Sequence, residues 1–235
     1  MDPRRHPHRV RRSRLGHHPL CLEPRSDRSS GCKKKALVDW APVTKRLEDI
    51  VVGSAILVLS APLWPLIAIA IKMESHGPVL FRQRRRGRYQ TTIDIYKFRT
   101  MTVMEDGADV RQAVRGDQRV TRIGRILRRT SLDELPQIFN VLKGEMSLVG
   151  PRPHALVHDQ EFSNILEFYP NRHQMRPGMT GLAQVTGHRG PTVVPGSIEA
   201  RVEADMAYIA NWSLWLDFRI LSRTLRAVVA GKNAD

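Results

Sequence analysis

Apolar positions are most concentrated between Ile50 and Ile71, where "IVVGSAILVLSAPLWPLIAIAI" runs for 22 residues without a charge. A straight helix of that length reaches roughly 33 Å, enough to cross a bilayer core. Pro62 sits near the middle and Pro65 follows one turn later, so a kink is predicted. Basic residues flank both ends: Lys45 and Arg46 before the run, Lys72, Arg82, Arg84, Arg85, Arg86 and Arg88 after it. Positive residues beside membrane segments stay on the cytoplasmic side. One crossing cannot satisfy both flanks, whereas a helix that enters, bends at Pro62 and returns does. The pattern predicts a re-entrant membrane helix over residues 41–75; a single span and a buried core helix are the alternatives.

Beyond the run, the periodicities are shorter. "TTIDIYKF" alternates apolar and polar residues and predicts a strand. Residues 119–129 place Val120, Ile123, Ile126 and Leu127 on one face with arginines around it, as in a basic amphipathic helix. "QIFNVLKGEMSLVG" carries apolar residues at helical spacing. "VGPRPH" and "RPGMTG" read as rigid proline–glycine loops. Near the C-terminus, "NWSLWLDFRILSRTLRAVV" reads as an amphipathic helix, suited to a membrane surface or to a soluble core. All four tryptophans, Trp40, Trp64, Trp212 and Trp215, lie in or beside segments expected at a membrane, where Trp is enriched. The fold class expected is α/β-type and mostly helical, with a compact domain over 76–235 behind the membrane segment. No Walker lysine loop or G-x-G-x-x-G is present, so the usual nucleotide cradles are missing.

Charge changes this picture. The 235 residues carry a formal net charge of +15, which calls for an anionic partner: nucleic acid, an acidic membrane surface or a phosphorylated substrate. About half lies in residues 1–35, where eleven Lys/Arg face three acids. That stretch lacks apolar periodicity, and a disordered basic tail is expected over 1–40. It is no secretory signal, for no apolar core follows the charges within reach of a cleavage site. Cys21 and Cys32 have no metal-ligand spacing and imply no disulfide framework. Nucleic-acid binding would rest on charge alone and leaves the 22-residue apolar run unexplained. A membrane scaffold without catalysis is the other non-enzyme alternative.

Candidate chemistry sits at residues 131–137, "SLDELPQ", where Asp133 and Glu134 stand together behind Arg122, Arg125, Arg128 and Arg129. Ser131 and Glu134 have the spacing of a capping box, which would make the acids structural. Arginines and helix N-termini also bind phosphate, and a carboxylate beside them can coordinate a divalent metal or attack phosphorus.

The stretches "KRLEDIVV", "GPVLFRQRRRG", "YKFRTM", "RVTRIGRILRRTSLDELPQIFNVLKGEMSLVGPRP", "RPGMTGLAQVTG" and "YIANWSLWLDFRIL", with the apolar run, closely resemble the bacterial sugar transferases. These are monotopic polyprenyl-phosphate phosphoglycosyltransferases, and the resemblance runs from about residue 44 to the C-terminus. It implies that Asp133 is the nucleophile that attacks the sugar-bearing phosphate of a UDP-sugar, expels UMP and passes the phosphosugar to a polyprenyl phosphate. It implies Mg²⁺ at Asp133 and Glu134, and Arg152 of the Pro-Arg-Pro loop on the nucleotide. Lys97, Arg99 and Arg176 follow as phosphate contacts, and Pro62 as the membrane bend. The family's Ser-Pro at that bend is Ala61-Pro62 here, with Ser60 one place earlier. "GHRGPT", "RVEADMAYIANWSLWLDFRIL" and "GKNAD" look most like the branch that transfers glucose 1-phosphate, with galactose 1-phosphate as the rival. The place implied is the cytoplasmic face of a bacterial inner membrane, at the first step of exopolysaccharide or capsule assembly. The partners implied are a UDP-sugar, polyprenyl phosphate and membrane lipid, with a homo-oligomer possible and no nucleic acid.

Overall fold

The computed structural model describes residues 31–102, 116–188 and 196–230. The disorder expected of the basic tail therefore falls, for residues 1–30, outside the described residues, as does the side chain of Trp40. So do most of "GHRGPT" and all of "GKNAD". The chain divides after Val38 into two packing units, and apart from the first residues of the first helix everything below belongs to the second, 39–235.

Helix α1 spans Gly31–Ser60 and begins ahead of the boundary expected at residue 40. Lys, Ala and Leu in "KKKALVDW" are strong helix formers and extend it upstream. Helix α2 spans Leu63–Glu74. The two meet at Ala61-Pro62 with a bend of 59°. Pro62 caps α2 and Pro65 lies in its first turn, where a missing N–H breaks no helical hydrogen bond. Ser60 is buried in the elbow: its hydroxyl donates to the Leu57 carbonyl at 3.3 Å and accepts from Trp64 Nε1 at 3.1 Å. Among the described residues no single helix is long and apolar enough to cross a membrane; the bent pair meets that test only together.

One face of α1 (Val52, Ile56, Leu57) packs on the main core of Ile93, Ile95, Ile138, Val141, Met146 and Leu148. Leu47, Val51, Val58 and Leu59 of α1 and Leu66, Ile69 and Met73 of α2 are exposed. At the foot of α1, Lys45 Nζ meets Asp217 Oδ2 at 2.6 Å. Asp49 accepts from Ser147 Oγ and the Leu148 N–H at 2.9 and 2.8 Å.

The predicted strand is present. Strand β1 (Leu80–Arg86) pairs antiparallel with β2 (Thr92–Phe98), from Leu80 opposite Phe98 to Arg86 opposite Thr92. Ile93 and Ile95 of β2 point into the core and Asp94 outward. The predicted basic helix is α3, Arg122–Thr130, capped by the Thr121 hydroxyl on the Gly124 N–H at 2.9 Å. Its buried face carries Leu127 and Gly124, with Ile123 packed beside them. Ile126, expected on that face, is 57 % exposed. At about 100° per residue, Ile126 lies a quarter-turn from Leu127 on the side away from Gly124, and so turns outward.

A 3₁₀ turn over Leu132–Gln137 leads into the short helix α4, Ile138–Lys143. The helix expected to continue through "GEMSLVG" stops at Gly144, whose φ of +86° is a left-handed cap. "SLV" instead forms β3 (Ser147–Val149), parallel to β4 (Gly178–Thr180). Between them lie the Pro-Arg-Pro loop, α5 (Leu156–Ile165) and a 3₁₀ segment, Tyr169–Gln174. The short helix α6 (Leu182–Val185), α7 (Ser197–Ala210) and α8 (Leu214–Val229) close the fold. Helix α8 buries Ile220 and Asp217 and exposes Trp215, Phe218 and Leu225 among its arginines. Trp212 and Trp64 turn inward: Trp212 Nε1 donates to Asp217 Oδ2 at 2.9 Å, and Trp64 packs edge-on against Phe98 and Phe139. The described residues are mostly helical with two small sheets, as expected of the fold class.

Candidate active site

The acid pair is presented by the 3₁₀ turn. Leu132 and Leu135 anchor that turn on the apolar cluster of Ile67, Ile71, Phe98 and Leu127, which leaves Asp133 and Glu134 on its other side. Asn140, fully buried in α4, accepts from the Tyr96 N–H at 3.2 Å and donates to the Asp94 carbonyl at 2.7 Å. These two bonds fix α4, and with it the acid turn, against β2 beside Lys97.

The capping box does not form. Ser131 has φ +57° and makes no side-chain cap hydrogen bond. It also ends α3, in the left-handed conformation, whereas a capping side chain requires extended backbone. Glu134 is drawn elsewhere. Arg152 Nη2 donates to its Oε1 at 2.6 Å and Nη1 to its Oε2 at 3.2 Å, while Lys97 Nζ lies 2.8 Å from Oε1. Burial alone would raise its pKa, yet Arg152 and Lys97 hold it well below the usual carboxylate range.

Asp133 is the opposite case. It is as buried as Glu134, but its carboxylate makes no hydrogen bond or ion pair with any described residue. Burial, and then the charge of Glu134 beside it, push it up to about 6. Lys97, Arg128 and Arg152 pull the other way. One acid is thus locked on cations, and its neighbour is free, ionised at neutral pH and short of partners.

The residues fit a hard divalent ion. Asp133 offers a free carboxylate, Glu134 keeps unused lone pairs, and two carboxylates completed by water and substrate phosphate are a usual Mg²⁺ donor set. Among the described residues no cluster of three or more His, Cys, Asp or Glu is arranged to hold a metal.

Of the other expected site residues, the structure brings Lys97 and Arg152 to the acids, and Arg99 and Arg176 elsewhere. Arg99 is 4 % exposed and donates to the Ser75 and His76 carbonyls at 2.6 Å and to Ser75 Oγ at 2.9 Å. It ties the end of α2 to the end of β2, and those donors are not available to a phosphate. Arg176 has Arg88, Arg46 and Asp49 as its charged neighbours, at the foot of α1. Pro62 sits at the elbow, as expected. Arg128 is an addition. Its charge acts on Asp133 while its Nε donates to Thr100 Oγ1 at 3.0 Å. Its place one helical turn before the acids was a usable signal.

Residues 40–231 match the family described as bacterial sugar transferase. The chain is 49 % identical over 225 residues to the UDP-glucose:undecaprenyl-phosphate glucose-1-phosphate transferase of Caulobacter vibrioides, covering 94 % of this chain and 83 % of that one. It is 50 % identical over 192 residues to the enzyme of the same description from Klebsiella pneumoniae, covering 82 % of this chain and 41 % of that one. To the exopolysaccharide production protein PSS of Rhizobium leguminosarum it is 47 % identical over 187 residues, covering 78 % of this chain and 94 % of the relative. The chain therefore spans nearly all of some relatives and about two fifths of others.

Proposed function

The chain belongs to the bacterial sugar transferase family, and from that premise we propose that it transfers glucose 1-phosphate from UDP-glucose to undecaprenyl phosphate and releases UMP. The names of the relatives from Caulobacter and Klebsiella support this donor and this acceptor. The name of the Rhizobium relative supports a role in exopolysaccharide production. The observation that carries the mechanism is the contrast within the acid pair: Glu134 pinned by Arg152 and Lys97, Asp133 buried beside it with no hydrogen bond or ion pair to any described residue.

Asp133 attacks the sugar-bearing phosphorus. A bond forms from its carboxylate oxygen to phosphorus, and the bond from that phosphorus to the bridging oxygen breaks, so UMP leaves with the electron pair. The raised proton affinity of Asp133 makes its anion a stronger nucleophile than an ordinary carboxylate, and it is still mostly ionised at pH 7. Lys97, Arg128 and Arg152 offset the repulsion between this anion and the diphosphate. A phosphate oxygen of the lipid acceptor then attacks the same phosphorus and releases the Asp133 carboxylate. Asp133 and Glu134 would hold a Mg²⁺ ion, which when bound would supply charge neutralisation on the diphosphate.

The acceptor is a lipid, so the exposed apolar faces of α1 and α2 are read as membrane-inserted, bent at Pro62, with both ends on the cytoplasmic side. The exposed Trp215, Phe218 and Leu225 of α8, with its arginines, suit the same interface.

The test is a reaction without acceptor. UDP-glucose and Mg²⁺ alone are expected to release about one UMP per enzyme and leave a phosphohexose on Asp133, the signature of a covalent intermediate. Asp133→Asn removes the attacking charge but no existing hydrogen bond, so it is expected to abolish burst and adduct while the protein stays folded. An adduct on another residue in the mass spectrum, or turnover by the variant, would overturn the mechanism. Faster UMP release from UDP-galactose would overturn the choice of sugar.

A further inference from the structure

Arg152 reaches Glu134 from a loop that has no regular structure, so something must fix the backbone from which its long side chain extends. Two other arginines do so. Arg172 Nη2 donates to the Arg152 carbonyl at 2.7 Å. Arg85 Nη1 donates to the next carbonyl, that of Pro153, at 2.5 Å.

Neither arginine is loose. Arg172 is 2 % exposed and grips Asp205 Oδ2 through Nε at 3.1 Å and Nη2 at 2.6 Å. Its Nη1 donates to Tyr169 Oη at 3.1 Å and lies 3.0 Å from His154 Nδ1. Arg85 donates Nε and Nη2 to Gln83 Oε1 at 3.0 and 2.5 Å, and its backbone bridges to Ala155. The two peptide planes that begin the Arg152 and Pro153 connections are thus held by planar guanidiniums, each immobilised in turn by other groups.

A buried Arg–Asp pair adds little net stability, because desolvation offsets most of the attraction. Packing alone would be served as well by apolar side chains of the same volume. What the Arg172–Asp205 pair supplies that apolar residues cannot is a donor of fixed direction on the Arg152 carbonyl.

We infer that Arg172, locked on Asp205, is a positioning residue that aligns Arg152 with Glu134 and with the diphosphate of the donor, with Arg85 as its counterpart on the Pro153 carbonyl. The inference rests on the reading of Arg152 as a contact for the donor nucleotide.

The test is a coupling measurement on the full chain in detergent, following UMP release from UDP-glucose. Arg172→Lys keeps the charge and loses the fork that holds Asp205 and the Arg152 carbonyl together. It is expected to lower kcat/KM about tenfold, as supporting contacts of a site typically do, with the loss carried mainly by KM. In an Arg152→Ala background the same substitution is expected to cost no more than about twofold, because its target is gone. Effects that multiply, or a loss in kcat with KM unchanged, would overturn the positioning role and leave the role of Arg152 intact. An Arg152→Ala variant with undiminished kcat/KM would overturn both. Asp205→Asn keeps an acceptor for Arg172 and disturbs folding less. It is expected to show the same coupling at about threefold, so the inference stands or falls even where Arg172→Lys does not fold.

Discussion

In the helix pair α1–α2, one whole apolar face is turned outward and the bend is made by near neighbours: Pro62, and the Ser60 hydroxyl bonded to Leu57 and Trp64. At the acid pair, charged side chains face inward, and the one that is held, Glu134, is held by residues far away in the chain, Lys97 and Arg152. The first arrangement needs an apolar surrounding to stabilise it. The second carries its own counter-charges. The difference separates what a bilayer must supply from what the protein supplies for itself.

Pro62→Leu breaks the comparison most severely. In the native chain, single cysteines placed near Lys45 and Lys72, with Cys21 and Cys32 removed, are expected to be labelled from the same side of the membrane. The substitution restores a backbone donor and removes the proline ring, favouring a continuous helix. Labelling from opposite sides is then the expected outcome. Opposite labelling in the native chain would refute the re-entrant reading.

Lys45 asks whether the foot of the helix pair obeys the rule of the other region. It is 6 % exposed and bonded to an Asp217 that is fully buried. Lys45→Met leaves that carboxylate without its cation, a change that costs about 3–5 kcal/mol in buried pairs. The lower end is expected, since Tyr208 Oη and Trp212 Nε1 still donate to Asp217 at 2.7 and 2.9 Å. The unfolding midpoint in detergent measures this, and an unchanged midpoint would count against a self-sufficient foot.

The smallest effect lies behind the site. Burial, with Arg172 and Arg201 beside it, holds His154 well below its ordinary pKa of 6.5. The folded protein keeps this imidazole neutral while the unfolded chain takes up a proton below pH 6.5. Its contribution to stability is therefore present above that pH and is lost as pH falls toward the depressed folded value. The slope approaches about 1.4 kcal/mol per pH unit. His154→Gln is expected to flatten that part of the stability–pH curve, and an unaltered slope would assign it to other groups.

These contrasts also explain what could be read in the chain. The bent helix pair, β2 and α3 follow from local pattern: an uncharged run with prolines, a two-residue alternation, and an apolar face among arginines. The acid pair was visible as a motif, but its division of labour was not, because Lys97 and Arg152 lie 37 and 18 residues from Glu134. Arg99 resembled Lys97 on sequence alone. Only the tertiary fold turns one toward the acids and the other toward the end of α2. The capping box misled because its spacing ignores backbone conformation, and Ser131 already serves as the end of α3. Arg172 stood outside every quoted stretch and Asp205 inside one that was used only for the sugar branch; 33 residues apart, they come together only by packing.

The close approach of main chain at the ends of β3 and β4 bears on how such an enzyme can diversify. A methyl group on Gly178 would lie 2.1 Å from the Gly150 nitrogen, one on Gly181 2.3 Å from the Gly150 oxygen, and one on Gly150 2.6 Å from the Arg176 oxygen. Each obstacle is main chain, so no rotamer change relieves it. The Pro-Arg-Pro loop leaves this crowded point directly, at Pro151, whose carbonyl accepts from the Gly178 N–H at 2.9 Å. A search for altered sugar choice therefore has three closed positions at the root of the loop. Libraries that randomise them are expected to return mostly unfolded protein, because every side chain beyond glycine meets main chain there.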